Sequence, residues 1–271
     1  MNQIAVLITC HNRKEKTLHC LQNLYKQSIT CDVYLVDDGS IDGTSLAVKS
    51  YFPDVNIIQG NGELYWNRGM FTAWSVAEKI DYEYYLWLND DTYLFPDTLS
   101  MMLECSNLQK NKALIVGASC SPDNHNLTTF GADYKKKALH PNGTLQECDA
   151  FGGNCVLIPR IIYKKCGKLD YYYRHSLGDI DYAKNVIKHH FPIYLAPKYT
   201  GECVNDSNVI VEKNSLKAFY KRCKMLYHPL GYSNPLEFFH YYRKYEGLFS
   251  AIIHFLAIHY HVIFPLSHKR Q

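Results

Sequence analysis

Three groups of acidic residues follow hydrophobic stretches of the chain, and carboxylates in such places can bind a metal ion or accept a proton. The groups are Asp37-Asp38, Asn89-Asp90-Asp91, and Asp179 with Asp181. Adjacent carboxylates repel each other, so a pair is destabilising unless a cation or hydrogen-bond donors lie beside it. A divalent cation that also binds a diphosphate supplies that partner. The structural alternative is that these acids cap helices or form turns, as Asp-Gly sequences commonly do.

The elements that must position these acids alternate between strands and helices in the first half of the chain. Short apolar runs predict strands, and apolar residues at helical spacing predict helices. The predicted strands cover residues 4–8, 33–36, 55–58 and 84–88, and one helix is predicted at 69–79. This alternation indicates an α/β fold with a mostly parallel sheet flanked by helices, whose ligands bind at the carboxyl ends of the strands. The three acidic groups are therefore expected to meet in one crevice.

The second half of the chain is less regular. Strands are predicted at 113–118, 155–158 and 193–196, and a polar, turn-rich segment at 119–150 is compatible with a hairpin. A helix is predicted at 179–190, which places Asp179 and Asp181 in its first turn. From residue 216 onward the pattern is helical, and it includes an apolar stretch at 248–264.

The composition is typical of a globular protein that does not bind nucleic acid. Hydrophobic residues make up 47% and charged residues 20% of the chain, and the formal net charge is +3. A charge this small does not favour nucleic-acid binding. Ten cysteines without a CxxC pair argue against a zinc site or a disulfide framework and indicate reduced thiols. Since no signal peptide precedes the first strand, we expect a cytoplasmic protein.

Five short motifs occur in a specific order along the chain. They are Thr9-Cys10-His11-Asn12-Arg13, Val36-Asp37-Asp38-Gly39-Ser40, Leu86-Trp87-Leu88-Asn89-Asp90-Asp91-Thr92, Gly152-Gly153-Asn154-Cys155, and Gly178-Asp179-Ile180-Asp181. Together they resemble family 2 glycosyltransferases of the GT-A fold, and the segment 60–70 resembles bacterial enzymes that build rhamnose- or galactose-containing surface polysaccharides. The resemblance implies a GT-A catalytic domain at 1–213, with a nucleotide-sugar-binding half at 1–110 and an acceptor-binding half at 111–213. A helical C-terminal extension at 214–271 follows.

The resemblance assigns nucleotide contacts to residues at the ends of the first two strands. Thr9, His11 and Arg13 match positions that contact the nucleotide of the donor. Asp38 matches an acid that accepts a hydrogen bond from the base, as the imide N–H of uracil or thymine would require. The expected donor is therefore a UDP-, dTDP- or GDP-linked sugar.

The resemblance also implies a divalent cation, Mn²⁺ or Mg²⁺, at the motif after the fourth strand. Asp91 matches the metal ligand, and Asp90 lies beside it toward the ribose. Asn89 stands at the first position of the motif and removes one charge, so the metal would be held mainly by Asp91 and the diphosphate.

Asp179 matches the catalytic base of an inverting mechanism. In that mechanism the acceptor hydroxyl loses its proton late, as it attacks the anomeric carbon, so a carboxylate can accept the proton. Asp181 lies two residues further on, and in a helix the two side chains diverge. We therefore expect Asp179 to be the base and Asp181 to lie near the acceptor or sugar pocket or to act as a helix N-terminal charge.

Two glycine-containing segments are further candidates for substrate contacts. In the loop that ends at Gly69, glycines would let the backbone approach the diphosphate, and Gly69 would open a helix whose N-terminus favours phosphate. Trp66 would form a wall of the sugar pocket, and Asn154 would bind a hydroxyl of the acceptor. For both segments an ordinary turn with buried side chains is an equal alternative.

One position departs from the family pattern. Many relatives have a His as a further metal ligand downstream of the catalytic acid, whereas here Cys203 stands near that place, with Glu202 and Asp206 close by. A thiol is a poor ligand for Mg²⁺. Either a carboxylate substitutes for the His, or the metal has fewer protein ligands.

The apolar stretch at 248–264 is shorter than the roughly 20 residues that a membrane-spanning helix needs. One interpretation is a helix packed on the catalytic domain or on a second copy in a homodimer. The other is an interfacial helix near a lipid-linked acceptor, with His268, Lys269 and Arg270 toward anionic headgroups. The second interpretation predicts peripheral contact with the inner face of the membrane.

The sequence therefore predicts an inverting glycosyltransferase that moves a hexose or deoxyhexose to a glycan or lipid-linked acceptor in bacterial polysaccharide synthesis. A nucleotidyltransferase is one alternative, but it would need a Gly-rich loop with Lys or Arg where Cys10-His11-Asn12-Arg13 stands. A dehydrogenase would need a GxGxxG motif there, which is absent. A non-catalytic sugar-binding relative is the other alternative, and loss of the acids would indicate it.

Overall fold

The computed structural model describes residues 3–205, 215–231 and 233–265 of the 271-residue chain. The strands, in chain order, are β1 (Ile4–Cys10), β2 (Asp32–Asp37), β3 (Asn56–Gln59), β4 (Tyr84–Leu88), β5 (Tyr93–Leu94), β6 (Leu114–Ser121), β7 (Asn124–Phe130), β8 (Ala132–Tyr134), β9 (Lys137–Ala138), β10 (Gln146–Glu147), β11 (Ala150–Phe151), β12 (Cys155–Pro159) and β13 (Ile193–Glu202). The helices are α1 (Lys14–Leu24), α2 (Thr44–Tyr51), α3 (Tyr65–Ala77), α4 (Thr98–Leu108), α5 (Arg160–Cys166), α6 (Gly178–Lys188), α7 (Leu216–Met225), α8 (Pro235–Tyr245) and α9 (Leu248–Ile263).

A central sheet joins most of the strands in the order β10-β13-β6-β12-β4-β1-β2-β3. Strands β4, β1, β2 and β3 are parallel neighbours, and β12 runs antiparallel to β4 and β6. The predicted α/β fold with a mainly parallel sheet is confirmed. The turn-rich segment at 119–150 supplies β7, which pairs with β6, and a small sheet of β11, β8 and β9.

The sheet is buried on both faces because its central strands are continuously apolar. Along β1, Ala5 and Leu7 point into a core with Trp74 of α3, while Val6 and Ile8 point into the opposite core with Leu21 of α1. Alternate residues of one strand therefore reach two layers of helices. This rigid centre holds the strand ends at which the acids lie.

Helix α3 begins at Tyr65 and not at Gly69 as predicted. The side chain of Asp38 determines this start, because its Oδ2 accepts the backbone N–H groups of Leu64 and Tyr65, both at 2.9 Å. Gly69 lies inside the helix, where a Cβ would come within 2.2 Å of Oγ1 of Thr9. The glycine thus permits close packing of α3 on β1, and the prediction that it opens a helix toward phosphate is wrong.

The helices after the sheet are tied to the segment that precedes α6. Tyr241 of α8 packs with Tyr173 and Leu177. Lys244 of α8 donates to both carboxylate oxygens of Asp181, at 2.9 and 2.8 Å. Across the described ranges, no helix has the length and apolar character needed to cross a membrane. The predicted boundary at 213/214, Asp206 and the tail with His268, Lys269 and Arg270 lie outside the described residues.

Candidate active site

The acid pair that follows β4 contacts a cationic side chain of the protein itself. Nη1 of Arg13, the residue before α1, lies 2.9 Å from Oδ1 of Asp90 and 2.8 Å from Oδ2 of Asp91. The Asp90 side chain is only 6% exposed. Burial raises the pKa of Asp90 to about 6, and the charge of Arg13 opposes that shift. Arg13 was predicted to contact the nucleotide, and the structure shows it neutralising the acids.

The position of the missing His is occupied by a thiol beside Asp91. Sγ of Cys203 lies 3.8 Å from Oδ1 of Asp91, and Nδ2 of Asn154 lies 3.8 Å from the same sulfur. Burial, reinforced by the charge of Asp91, raises the pKa of Cys203 to about 12, so the thiol keeps its proton at neutral pH. The carboxylate of Glu202 faces elsewhere and contacts His125 at 2.7 Å. Glu202 is therefore not the substitute ligand.

A tryptophan lies between the acid pair and the segment before β12. Nε1 of Trp66 donates to Oδ1 of Asn89 at 2.7 Å. The ring lies against Gly153, where a Cβ would come within 2.4 Å of it. Trp66 thus stands between the end of β4 and the segment before β12, and its role as a wall of the sugar pocket stays a prediction. The amide of Asn89 orients this ring.

Asp179 lies in the first turn of α6 on the other side of Gly153. Its Oδ2 accepts the N–H of Gly153 at 3.1 Å, and its Oδ1 accepts the N–H of Ile180 at 2.8 Å. Burial raises the pKa of Asp179, and these hydrogen bonds oppose the shift. Asp179 also lines a cavity of about 390 Å³ formed with β7, β8 and β11. Another cavity, of about 440 Å³ between Ile29 and α4, contacts none of the acids.

Asp181 does not face this cavity. Its side chain is 3% exposed and is held by Lys244 and by the hydroxyl of Tyr173 at 3.0 Å. The assignment of Asp181 to the acceptor or sugar pocket is therefore wrong. The carboxylate points into the joint between α6 and α8, because in the first helical turn it diverges from Asp179.

Asp38 has a structural role, because its carboxylate accepts backbone N–H groups of the loop before α3. Besides the two N–H groups at the start of α3, it accepts the N–H of Gly62 at 2.8 Å. A Cβ at Gly60 would come within 2.6 Å of its Oδ1, so that glycine lets the loop wrap around the carboxylate. Its contact with a base stays a prediction, and three of the carboxylate's acceptor positions are already used.

The remaining predicted residues of the nucleotide side lie around this loop. His11 donates from Nδ1 to the carbonyl of Asp38 at 2.6 Å, and the residue is exposed. Thr9 packs under α3 at Gly69. Their nucleotide contacts stay predictions.

The sequence reading missed His175, which lies four residues before Asp179. The pKa of His175 is lowered mainly by partial loss of solvent around the imidazole and, to a smaller extent, by the positive charge of Arg13. The residue nevertheless keeps an exposed surface. The only signal in the sequence is an imidazole in the polar loop before Asp179.

The described residues could hold a divalent cation only together with ligands from the substrate or from water. Among them, no cluster of three or more His, Cys, Asp or Glu side chains could hold a metal ion. Oδ2 of Asp90 is buried without a hydrogen-bond partner, and Asp91 is 17% exposed. Asp91 is thus available to a cation whose other ligands come from the substrate or from water.

Comparison with known proteins identifies the class to which this site belongs. The sequence profile of "Glycosyl transferase family 2" matches residues 5–165. The chain therefore belongs to glycosyl transferase family 2. No curated protein matches it in sequence.

Solved structures of glycosyltransferases share the fold. Residues 1–349 of Staphylococcus aureus (S. aureus) TarS align with a TM-score of 0.56 at 13% identity, covering 95% of this chain and 72% of TarS 1–349. The mannosyltransferase PcManGT from Pyrobaculum calidifontis, in complex with GDP-Man and Mn2+, aligns with a TM-score of 0.57 at 15% identity, covering 98% of this chain and 76% of PcManGT. The chain has the GT-A fold and the function of glycosyl transfer.

Proposed function

We propose that this protein is an inverting glycosyltransferase that moves a hexose or deoxyhexose from a nucleotide-diphosphate sugar to a glycan or lipid-linked acceptor in bacterial polysaccharide synthesis. The observation that carries the proposal is a continuous chain of contacts. It runs from Asp90 and Asp91 through Asn89 to Trp66, and from Trp66 through Gly153 to Asp179. A donor diphosphate at one end and an acceptor hydroxyl at the other would meet over Trp66.

Asp179 is the proton acceptor in this proposal. The acceptor hydroxyl attacks the anomeric carbon, a new C–O bond forms, and the bond to the diphosphate breaks. The hydroxyl proton passes to a carboxylate oxygen of Asp179, and the nucleoside diphosphate leaves. Burial favours the protonated product form of Asp179, since it raises the pKa. The cavity beside Asp179 provides the approach for the acceptor.

Arg13 and Asp91 act on the leaving group. Asp91 would hold a Mn²⁺ or Mg²⁺ ion, which stabilises the negative charge that develops on the diphosphate. The guanidinium of Arg13 contacts both acids and can turn one of its remaining N–H groups to a phosphate oxygen. PcManGT was solved with GDP-Man and Mn2+, which supports a nucleotide-sugar donor and a divalent cation here. We propose that transfer takes place in the cytoplasm.

The proposal is tested by measuring nucleoside diphosphate release from a panel of UDP-, dTDP- and GDP-sugars, with Mn²⁺ or with EDTA. We expect one donor class to be turned over, and transfer to an added glycan acceptor to require Asp179. Asp123→Asn, which alters an exposed acid in the turn between β6 and β7, is the matched control. Full transfer by Asp179→Asn would show that the site has been assigned wrongly.

A further inference from the structure

Helix α9 carries an apolar stripe that the described part of the chain leaves uncovered. Its residues are between 44% and 79% exposed and comprise Phe249, Ile252, Ile253, Leu256, Tyr260 and Ile263. At 3.6 residues per turn these six positions fall within an arc of about 100°. The opposite face packs inward, where Ala251 is buried and His254 stacks on Tyr242 with ring centroids 3.6 Å apart. The stripe is therefore one continuous outer face.

The stripe suits a lipid surface better than a membrane crossing. Asp, Glu, Lys and Arg are absent from Leu248–Ile263. At about 1.5 Å per residue the helix is roughly 24 Å long, shorter than the hydrocarbon core of roughly 30 Å. A helix of this kind can lie in the interface, with its apolar side toward the acyl chains.

The positive charge of the chain is concentrated in the C-terminal segment that contains this stripe. Residues 215–271 contain eight Lys and Arg residues and two Asp and Glu residues, which gives a net charge of +6. Residues 1–214 contain 21 Lys and Arg residues and 24 Asp and Glu residues, which gives a net charge of −3. On α7, Lys217, Lys221 and Lys224 are exposed and follow one another at helical spacing. Arg222 of α7 donates from Nε to the carbonyl of Val262 at 2.9 Å, which joins the basic helix to the end of α9.

We propose that α7 and α9 together bind an anionic lipid surface, with the stripe in the acyl boundary and the lysines of α7 toward acidic headgroups. The charge distribution selects this occupant over a second copy of the chain. An isologous dimer through α9 would bring two strongly basic extensions together, and their like charges would repel. An anionic bilayer instead compensates the positive charge.

The surface is connected to the catalytic segment. The neighbouring helix α8 binds Asp181 through Lys244, and Asp181 lies two residues after Asp179. If the proposed function holds, docking of the extension holds the acceptor-side cavity close to the membrane. A lipid-linked acceptor is then the substrate class that this geometry favours.

The test is co-sedimentation of the full chain with vesicles of phosphatidylcholine alone or of phosphatidylcholine with phosphatidylglycerol. We expect binding to the anionic vesicles and a fall of about ten-fold in partition for Leu256→Glu, because a charge enters the apolar face. The control is Leu46→Glu, at a residue that is 81% exposed on α2. At low salt, Lys217→Gln and Lys221→Gln should each weaken binding about five-fold, whereas Lys135→Gln, in an exposed loop, should not.

Equal binding of Leu256→Glu and the parent chain would overturn the proposal, and so would equal binding to neutral and anionic vesicles. The parent chain could instead fail to bind vesicles and form a dimer that Leu256→Glu dissociates, as measured by analytical ultracentrifugation. That result would assign the stripe to contact with a second copy of the chain. Asp179→Asn should bind vesicles as the parent chain does. The vesicle-binding result therefore does not depend on whether the proposed transfer reaction is found.

Discussion

The two acidic centres of the site differ in what surrounds their charge. Asp90 and Asp91 share the guanidinium of Arg13, whereas the hydrogen-bond partners described for Asp179 are backbone N–H groups. Burial raises the pKa of both Asp90 and Asp179, but only the first has a cation that opposes the shift. A carboxylate held beside a cation is suited to bind charge, and one without a cation is suited to accept a proton. In the proposed function, this difference separates a donor end, at Asp90 and Asp91, from an acceptor end, at Asp179.

The largest effect is expected for Asp179→Asn. An amide cannot accept the proton from the acceptor hydroxyl, so we expect transfer to fall by about 10³-fold. The affinity for the nucleoside diphosphate should stay within about two-fold of the parent value, because Asp179 is separated from the acid pair by Trp66 and Gly153. Transfer rates and calorimetric titration of the nucleotide check both points. A parallel loss of nucleotide affinity would mean that Asp179 also contributes to nucleotide binding and that the two ends are not separate.

Asp91→Asn should give a smaller loss of a different kind. Removal of the proposed metal ligand leaves the charge of the leaving diphosphate less stabilised, and we expect transfer to fall by about 10²-fold. Here the Mn²⁺-dependent affinity for the nucleoside diphosphate should fall as well. The same calorimetric titration, with Mn²⁺ and with EDTA, measures this. An unchanged nucleotide affinity in Asp91→Asn would mean that Asp91 does not bind the metal ion at the donor diphosphate.

These two ends were recognisable in the sequence to different degrees. Strand β4 occupies the predicted residues Tyr84–Leu88, because five consecutive apolar residues bounded by polar ones leave little choice of structure. The acids after it were placed correctly for the same reason. What local patterns could not reveal were contacts between distant residues. Arg13 lies 77 residues from Asp90, and no local rule pairs them.

The incorrect predictions share this cause. Helix α3 starts at Tyr65 because a carboxylate 27 residues earlier accepts its N–H. Asp181 turns away from the cavity because Lys244, 63 residues later, neutralises it. Helical periodicity describes which face of a segment is apolar, but it does not say which distant charge will meet a buried acid. The absence of the expected His and the presence of Cys203 near its place were both visible in the sequence. The contact of Cys203 with Asp91, 112 residues earlier in the chain, was not predictable from spacing.

Arg13→Gln should sharpen the contrast between the ends by changing the donor end alone. Without the guanidinium, Asp90 and Asp91 lose their cation, and we expect Mn²⁺ to bind about ten-fold more tightly when no nucleotide is present. Free Mn²⁺ can be measured by electron paramagnetic resonance. Lys14→Gln is the matched control, since Lys14 is the adjacent cation and pairs with Glu15. Unchanged Mn²⁺ affinity in Arg13→Gln would mean that Arg13 does not compete with a cation for the acids.

The smallest effect concerns the pH dependence of transfer. Burial raises the pKa of Asp179 above its ordinary value of 3.8, and the base must be deprotonated to act. The rate should therefore rise with pH through an acid limb whose midpoint lies above 3.8. The residual rate of Asp179→Asn should lack this limb, whereas Asp123→Asn should retain it. Rates of transfer at saturating donor and acceptor between about pH 4 and 7 make the comparison. A limb that persists in Asp179→Asn would belong to another group, such as Asp90, whose pKa burial raises to about 6, and the pH dependence would then not report on Asp179.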